Sequence, residues 1–173
     1  MTSALPRFFL AAVVAALSLT ALTALAAPKP VRVHLEGIAD GDTIYVRNTE
    51  ERASYRVRMA MIDAPEKNQD YGPQAKQVLQ QLLRGAGALT LQVYGSDRYG
   101  RLIAVVEDER KRNINLLMVN QGAAWVYSQY ASRPEFARYY DAMTTAETNA
   151  RRQRLGLWAN PDAVEPWRFR RSR

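Results

Sequence analysis

Cysteine is absent from this chain of 173 residues, and histidine occurs once, as His34. Without cysteine there is no disulfide, no thiolate nucleophile and no lipid-modified cysteine anchor. A lone histidine on the polar side of a strand-like segment reads as a solvated side chain. It leaves no partner for a histidine acid–base pair. No internal repeat and no low-complexity linker divides the chain. Chemistry that needs a histidine or cysteine is hard to build here, and a carboxylate base assisted by a metal is what remains.

Long apolar runs are also scarce, with one exception. Arg7 is followed by an apolar stretch from Phe8 to Ala27, ending in the small-residue pattern Ala24-Leu25-Ala26 before Pro28. This predicts a signal peptide over 1–27, cut near Ala26–Ala27, and hence a secreted or periplasmic protein. The competing reading is an uncleaved anchor, since roughly 20 apolar residues span a bilayer; nothing else in the chain approaches a span. Residues 28–173 are then one domain of ordinary size with a basic tail. Lys and Arg number 24 against 17 Asp and Glu, a net charge of +7. A basic exported domain favours polyanions, either nucleic acid or an anionic envelope surface.

The first half of that domain alternates at period two. Val31, Val33 and Leu35 share one face, and Ile44 and Val46 another. Val57, Met59 and Met61 alternate with Arg56, Arg58 and Ala60. Three strands are predicted, with Asp40-Gly41 turning between the first two and a polar loop from Asn48 to Arg52 before the third. The period then changes. Pro73 opens a helical stripe of Ala75, Val78, Leu79, Leu82 and Leu83, which Gly85 and Gly87 stop. Leu89, Leu91 and Val93 mark a fourth strand and Leu102 to Val106 a fifth. A short helix is expected over Ile114–Val119, ended by Gly122. A longer one is expected to start at Ser132-Arg133-Pro134-Glu135, which has the form of a capping box. The fold class is α+β: a five-stranded barrel with about three helices.

Three segments carry the chemistry. Asp63 and Glu66 follow directly on a strand, with Pro65 turning the chain away from the sheet. One carboxylate there can hold a cation while the other takes a proton from water. Asp40 and Asp42 flank Gly41 at a strand junction. One of them joined to Asp63 makes a two-acid oxygen site, completed by water and a carbonyl such as that of Ala64. Such a donor set suits Ca²⁺ or another hard ion, and not Zn²⁺. Arg58 lies on the face of its strand opposite Val57 and Met59, and Arg101 opens the fifth strand. Two arginines on one phosphate would neutralise charge that builds up in a five-coordinate transition state. Trp125, Trp158 and Trp167 read as core or helix-packing residues, and Arg168 to Arg173 as a solvated tail or a sequence-blind attraction for phosphates.

Taken in order, Asp40-Gly41-Asp42-Thr43, Arg58, Asp63-Ala64-Pro65-Glu66, Tyr71-Gly72-Pro73, Asp97-Arg98-Tyr99-Gly100-Arg101, Gln121-Gly122 and Gly156-Leu157-Trp158 resemble the staphylococcal nuclease family. The resemblance implies an OB-type barrel with packed helices. It implies Asp42, Asp63 and the Ala64 carbonyl as Ca²⁺ ligands, with Asp40 in or near the outer shell. Glu66 would be the general base, and Arg58 and Arg101 would grip the scissile phosphate. Arg98 and Tyr99 would line another phosphate of the nucleotide, and Tyr127 or Tyr130 would pack near a base. The implied reaction cleaves the bond to the 5′ oxygen of DNA or RNA and leaves 3′-phosphate ends. The founding nuclease has Thr where this chain has Ala64.

The expected protein is thus a Ca²⁺-dependent endonuclease of low sequence specificity, a monomer with no obligate protein partner. One alternative is an OB-type module that binds single strands without cutting them. Another is an envelope glycosidase using Asp63 and Glu66, which would leave the flanking arginines without a task.

Overall fold

Residues 28–172 are described by a computed structural model of the chain, so the leader expected over 1–27 lies outside the described residues. Strands β1 (Pro30–Ile38), β2 (Thr43–Asn48) and β3 (Ala53–Met59) form an antiparallel meander. A second hairpin, β5 (Ala88–Ser96) and β6 (Leu102–Glu107), joins both of its edges, in the order β1-β2-β3-β6-β5. β1 pairs antiparallel with β5, while β3 meets β6 in parallel, with Arg58 opposite Ile103. The result is the expected five-stranded closed barrel. Register shifts at Leu35/Gly37 and Val93/Gly95 bend β1 and β5 so that so few strands can close.

Period two explains the interior. Val33, Ile44, Val46, Val57, Met59, Leu89 and Leu91 point inward and are buried, while Tyr45, Arg47 and Arg56 on the alternate positions face out. Strand β6 departs from the pattern: Ala104, Val105 and Val106 are all fully buried. Helix α2 (Ile114–Asn120) packs over its outer face, as α1 (Gly72–Leu82) packs alongside. The Asn113 side chain caps α2 by accepting the Leu116 N–H at 3.0 Å.

Some expectations fail locally. β3 ends at Met59, and Met61, though buried, sits in a turn at φ 68° that no strand can continue. The chain resumes as β4 (Ile62–Asp63), which pairs with β7 (Trp125–Val126), a two-residue ribbon too short to show periodicity. The capping box at Ser132 does not form. The Ser132 hydroxyl donates back to the Ser128 carbonyl at the end of α3 (Ser128–Ala131), Pro134 opens a 3₁₀ turn, and α4 runs over Ala137–Arg152. The basic tail is not a loose tail: Pro166–Arg171 form α5, which brings the described helices to five.

One buried polar side chain ties the layers together. Asn115 of α2 is fully buried, accepts the Val106 N–H at 3.0 Å, and donates to the carbonyls of Ala60 (2.9 Å) and Ala104 (3.2 Å). It therefore fixes the chain between β3 and β4 against β6. Asn115→Leu leaves the Val106 N–H and the Ala60 carbonyl without this partner, while the Ala104 carbonyl keeps the Ala60 N–H, and is expected to cost about 3 kcal/mol, read as a lower urea midpoint at unchanged slope.

Candidate active site

The acidic turn between β1 and β2 is held close against the core. Ala39 N–H donates to the Thr43 carbonyl at 2.9 Å, and Asp42 N–H to Asp40 Oδ1 at 3.1 Å. A Cβ on Gly41 would lie 2.6 Å from the Ala64 Cβ and 2.9 Å from the Ala75 Cβ. Only glycine lets this turn press on both the Asp63–Glu66 segment and α1. The Asp42 carboxylate then reaches across, accepting the Ala64 N–H at 2.7 Å and the Thr43 hydroxyl at 3.0 Å.

Asp63 is set by β4, where it pairs with Trp125 of β7, and its side chain is 1% exposed. Between the two aspartates stands Arg58, pairing through one η nitrogen with Asp42 and through the other with Asp63 Oδ1 at 2.6 Å. Its side chain is 15% exposed, against 8% for Asp42 and 1% for Asp63. Burial works to raise the Asp42 carboxyl, but the Arg58 guanidinium against it holds it below its ordinary value. For Asp63 burial prevails over Arg58 and, with the nearby charge of Asp42, pushes it up. Burial and Asp42 likewise push Asp40 up.

Glu66 completes the group from a turn with its own supports. Its N–H donates to Gln69 Oε1 at 3.1 Å, and its carbonyl accepts the Gln69 N–H at 2.9 Å. Gly72 opens α1 so near that a Cβ there would overlap the Glu66 carbonyl. The Glu66 carboxylate meets Arg170 of α5, whose Nη1 lies 2.7 Å from Oε1. Arg170 also grips Asp63, at 3.1 Å from Nη1 to Oδ1 and 2.8 Å from Nη2 to Oδ2. Arg170 and Gln69 belong to this cluster although neither was singled out from the sequence. A run of basic residues at the tail carries no spacing that picks out one of them.

Three carboxylates, Asp42, Asp63 and Glu66, therefore pair with two guanidiniums, Arg58 and Arg170, while Asp40 lies behind Asp42 and accepts its N–H. Burial is the first cause of the raised Asp40 and Asp63, and the charge of Asp42 adds to it; carboxylate oxygens so placed suit a hard cation. Among the described residues no three acidic or histidine side chains converge closely enough to form a cage. The protein would supply the two carboxylates of Asp42 and Asp63, with backbone and water completing the shell, and the all-oxygen donor set fits such an ion.

Arg101 stands apart from this cluster, one residue ahead of β6 and two positions before Ile103, the register partner of Arg58. Its loop is a clip built on Asp97. Asp97 Oδ1 accepts the N–H groups of Tyr99 (2.9 Å) and Arg101 (3.0 Å), and Oδ2 accepts Arg101 Nε at 2.7 Å. Gly100, at φ 73°, makes the turn. Arg98 donates to the Tyr99 hydroxyl at 2.8 Å, and Tyr99 is 66% exposed. The far end of β6 repeats the clip: Asp108 accepts the N–H groups of Arg110 and Arg112 and the Arg112 Nε, with Lys111 at φ 61°. Tyr127 and Tyr130 lie together on another element, ring centres 4.8 Å apart, and Tyr127 stacks on Trp167 at 4.9 Å.

Comparison with known proteins agrees with this geometry. Residues 56–160 match the family described as staphylococcal nuclease homologue. A protein of Shigella flexneri named micrococcal nuclease is 43% identical over 144 residues, covering 78% of each chain. An uncharacterized endonuclease of Escherichia coli O157:H7 is 39% identical over 133 residues, 77% of this chain and 80% of its own. Protein ParB of Escherichia coli is 38% identical over 165 residues, 87% of this chain and 88% of its own.

Burial works against ionisation of Asp97, but its hydrogen bonds from Arg101 and Tyr99 hold it below its ordinary 3.8. A lowered folded value means that the clip's stabilisation is complete above 3.8 and fades as pH falls through the lowered value. The amide protons of Tyr99 and Arg101 should therefore shift together in an NMR titration with a midpoint below 3.8, and Asp97→Asn should abolish that transition. A midpoint above 3.8 would contradict the account.

Proposed function

The chain belongs to the staphylococcal nuclease homologues and is a nuclease, a phosphodiester hydrolase; on that premise we propose that it is a Ca²⁺-dependent endonuclease of DNA and RNA with low sequence specificity, leaving 3′-phosphate ends. The observation that carries the proposal is the meeting of Asp42, Asp63, Arg58 and Glu66 at one end of the barrel.

Asp42, Asp63 and the Ala64 carbonyl would hold the ion, with Asp40 behind them. The ion would supply Lewis-acid polarisation of a phosphate oxygen. Glu66 accepts a proton from a water whose oxygen attacks phosphorus, and its Oε2 is not taken up by Arg170. The bond from phosphorus to the 5′ oxygen breaks, and that oxygen takes a proton from solvent. Arg58 donates to the non-bridging oxygens as negative charge grows on them. Arg101 spends Nε and Nη2 on Asp97, which leaves Nη1 for the phosphate and fixes the direction in which it is offered. Arg98 and exposed Tyr99 line the neighbouring phosphate, and Tyr127 and Tyr130 sit toward a base. Nothing in this chemistry reads base identity, in keeping with a degradative role. The apolar leader supports export with cleavage near Ala26–Ala27, and the protein acts as a monomer.

With single-stranded DNA and Ca²⁺ the protein is expected to cut, and EGTA to stop it. Glu66→Gln should lower kcat by about 10²-fold or more, and Arg58→Ala and Arg101→Ala by about 10²–10³-fold, each in a protein that still folds. Tight binding of single strands with no cutting under any divalent metal would instead support the non-catalytic module.

A further inference from the structure

Helix α5 places its basic residues very differently. Arg168 turns to Glu165, the residue that caps the helix, at 3.3 Å, and both Arg170 and Arg171 are exposed. Arg170 alone is directed into the acidic cluster. Its fork lies flat against the Asp63 carboxylate, and the same Nη1 that touches Asp63 Oδ1 also reaches Glu66 Oε1. An exposed ion pair of this kind would carry little energy or information. Here one partner, Asp63, is buried, and the contact is two-pronged, which fixes orientation as well as distance.

Contacts independent of charge hold the helix in register with the site. The Trp167 ring stacks on Tyr127 with 2° between planes and lies 6.0 Å from Trp125, the β-partner of Asp63. Pro166 is buried. Gln69, whose Oε1 takes the Glu66 N–H, donates through Nε2 to the Val164 carbonyl at 2.6 Å, just ahead of the helix. The backbone of Glu66 and the approach to α5 are thus joined through one side chain, and their side chains meet again at Arg170.

We infer that Arg170 is a positioning residue for phosphodiester cleavage: it ties the Glu66 carboxylate to Asp63, so that one oxygen is anchored and the other faces water. This deepens the reading of Glu66 as the base and rests on it. The same placement has a second consequence. Arg170 puts positive charge on both oxygens of Asp63, a proposed cation ligand, so it opposes the ion that the site is proposed to hold. Removing the guanidinium therefore moves two quantities in opposite directions. Turnover falls because the base is no longer aimed, while cation affinity rises because Asp63 is released.

The test compares Arg170→Gln, Arg170→Lys and the charge-matched control Arg171→Gln with the wild-type chain. Steady-state cleavage of single-stranded DNA gives kcat and KM, and calorimetric titration with CaCl₂ in the absence of nucleic acid gives cation affinity. Arg170→Gln should lower kcat about tenfold with KM within about twofold, and tighten Ca²⁺ binding about fivefold. Arg170→Lys should recover part of kcat, and Arg171→Gln should match wild type in every measurement. Equal kcat in Arg170→Gln and Arg171→Gln overturns the inference, as does a Ca²⁺ affinity that falls together with kcat. A wild-type protein that does not cleave refutes the proposed function itself. An active wild type with an equally active Arg170→Gln refutes only the role of Arg170.

Discussion

Arg58 is the contact on which the rest of the site depends. It projects from β3, and its two η nitrogens pair with Asp42, from the turn into β2, and with Asp63 in β4. Three segments, already joined by the Ala64 N–H on the Asp42 carboxylate, are thereby locked at one point. Removing one member of a buried ion pair typically costs about 3–5 kcal/mol, because the other charge is left without a partner. The barrel presents this pair with little freedom. Met59 N–H donates to the Asp42 carbonyl at 2.8 Å, and Ala60 N–H to the Ala104 carbonyl at the same distance. Backbone pairing thus sets the spacing that the guanidinium spans.

Around that point the chain works by excess of one charge. The acidic side chains outnumber the arginines within reach, and burial raises two of them. A packed interior would not tolerate such an imbalance without Arg58 and Arg170, whose guanidiniums stay protonated against the carboxylates they pair with. Arg101 illustrates the economy of the arrangement. Its clip recurs at the other end of β6 with Asp108 and Arg112, away from Arg58, so the clip is first a way to end a strand. What distinguishes the first copy is its place just ahead of β6, the strand that pairs with the strand of Arg58.

Much of this was legible in the residues alone. The strands of the barrel announce themselves through alternation, since Val57 and Met59 must point one way and Arg58 the other. The site residues on β3, on its exit and in the Asp97 loop follow from short motifs whose polar residues have few other uses. What could not be read has physical reasons. A two-residue strand such as β4 carries no period. Ser132 has the composition of a cap, but its hydroxyl is claimed by Ser128 and Pro134 tightens the first turn, so the helix begins five residues later. Arg170 lies among arginines that look alike until Trp167 and Gln69 fix which one turns inward.

The contact between Asp63 and Arg170 joins residues 107 positions apart. Closing so long a loop is entropically unfavourable until other contacts have drawn the ends together. The surface on which α5 docks is built from Asp63, Glu66, Gln69 and Tyr127, so the helix has a seat only where the rest of the fold supplies one. Separated in sequence, the two halves of the contact depend on the whole chain between them.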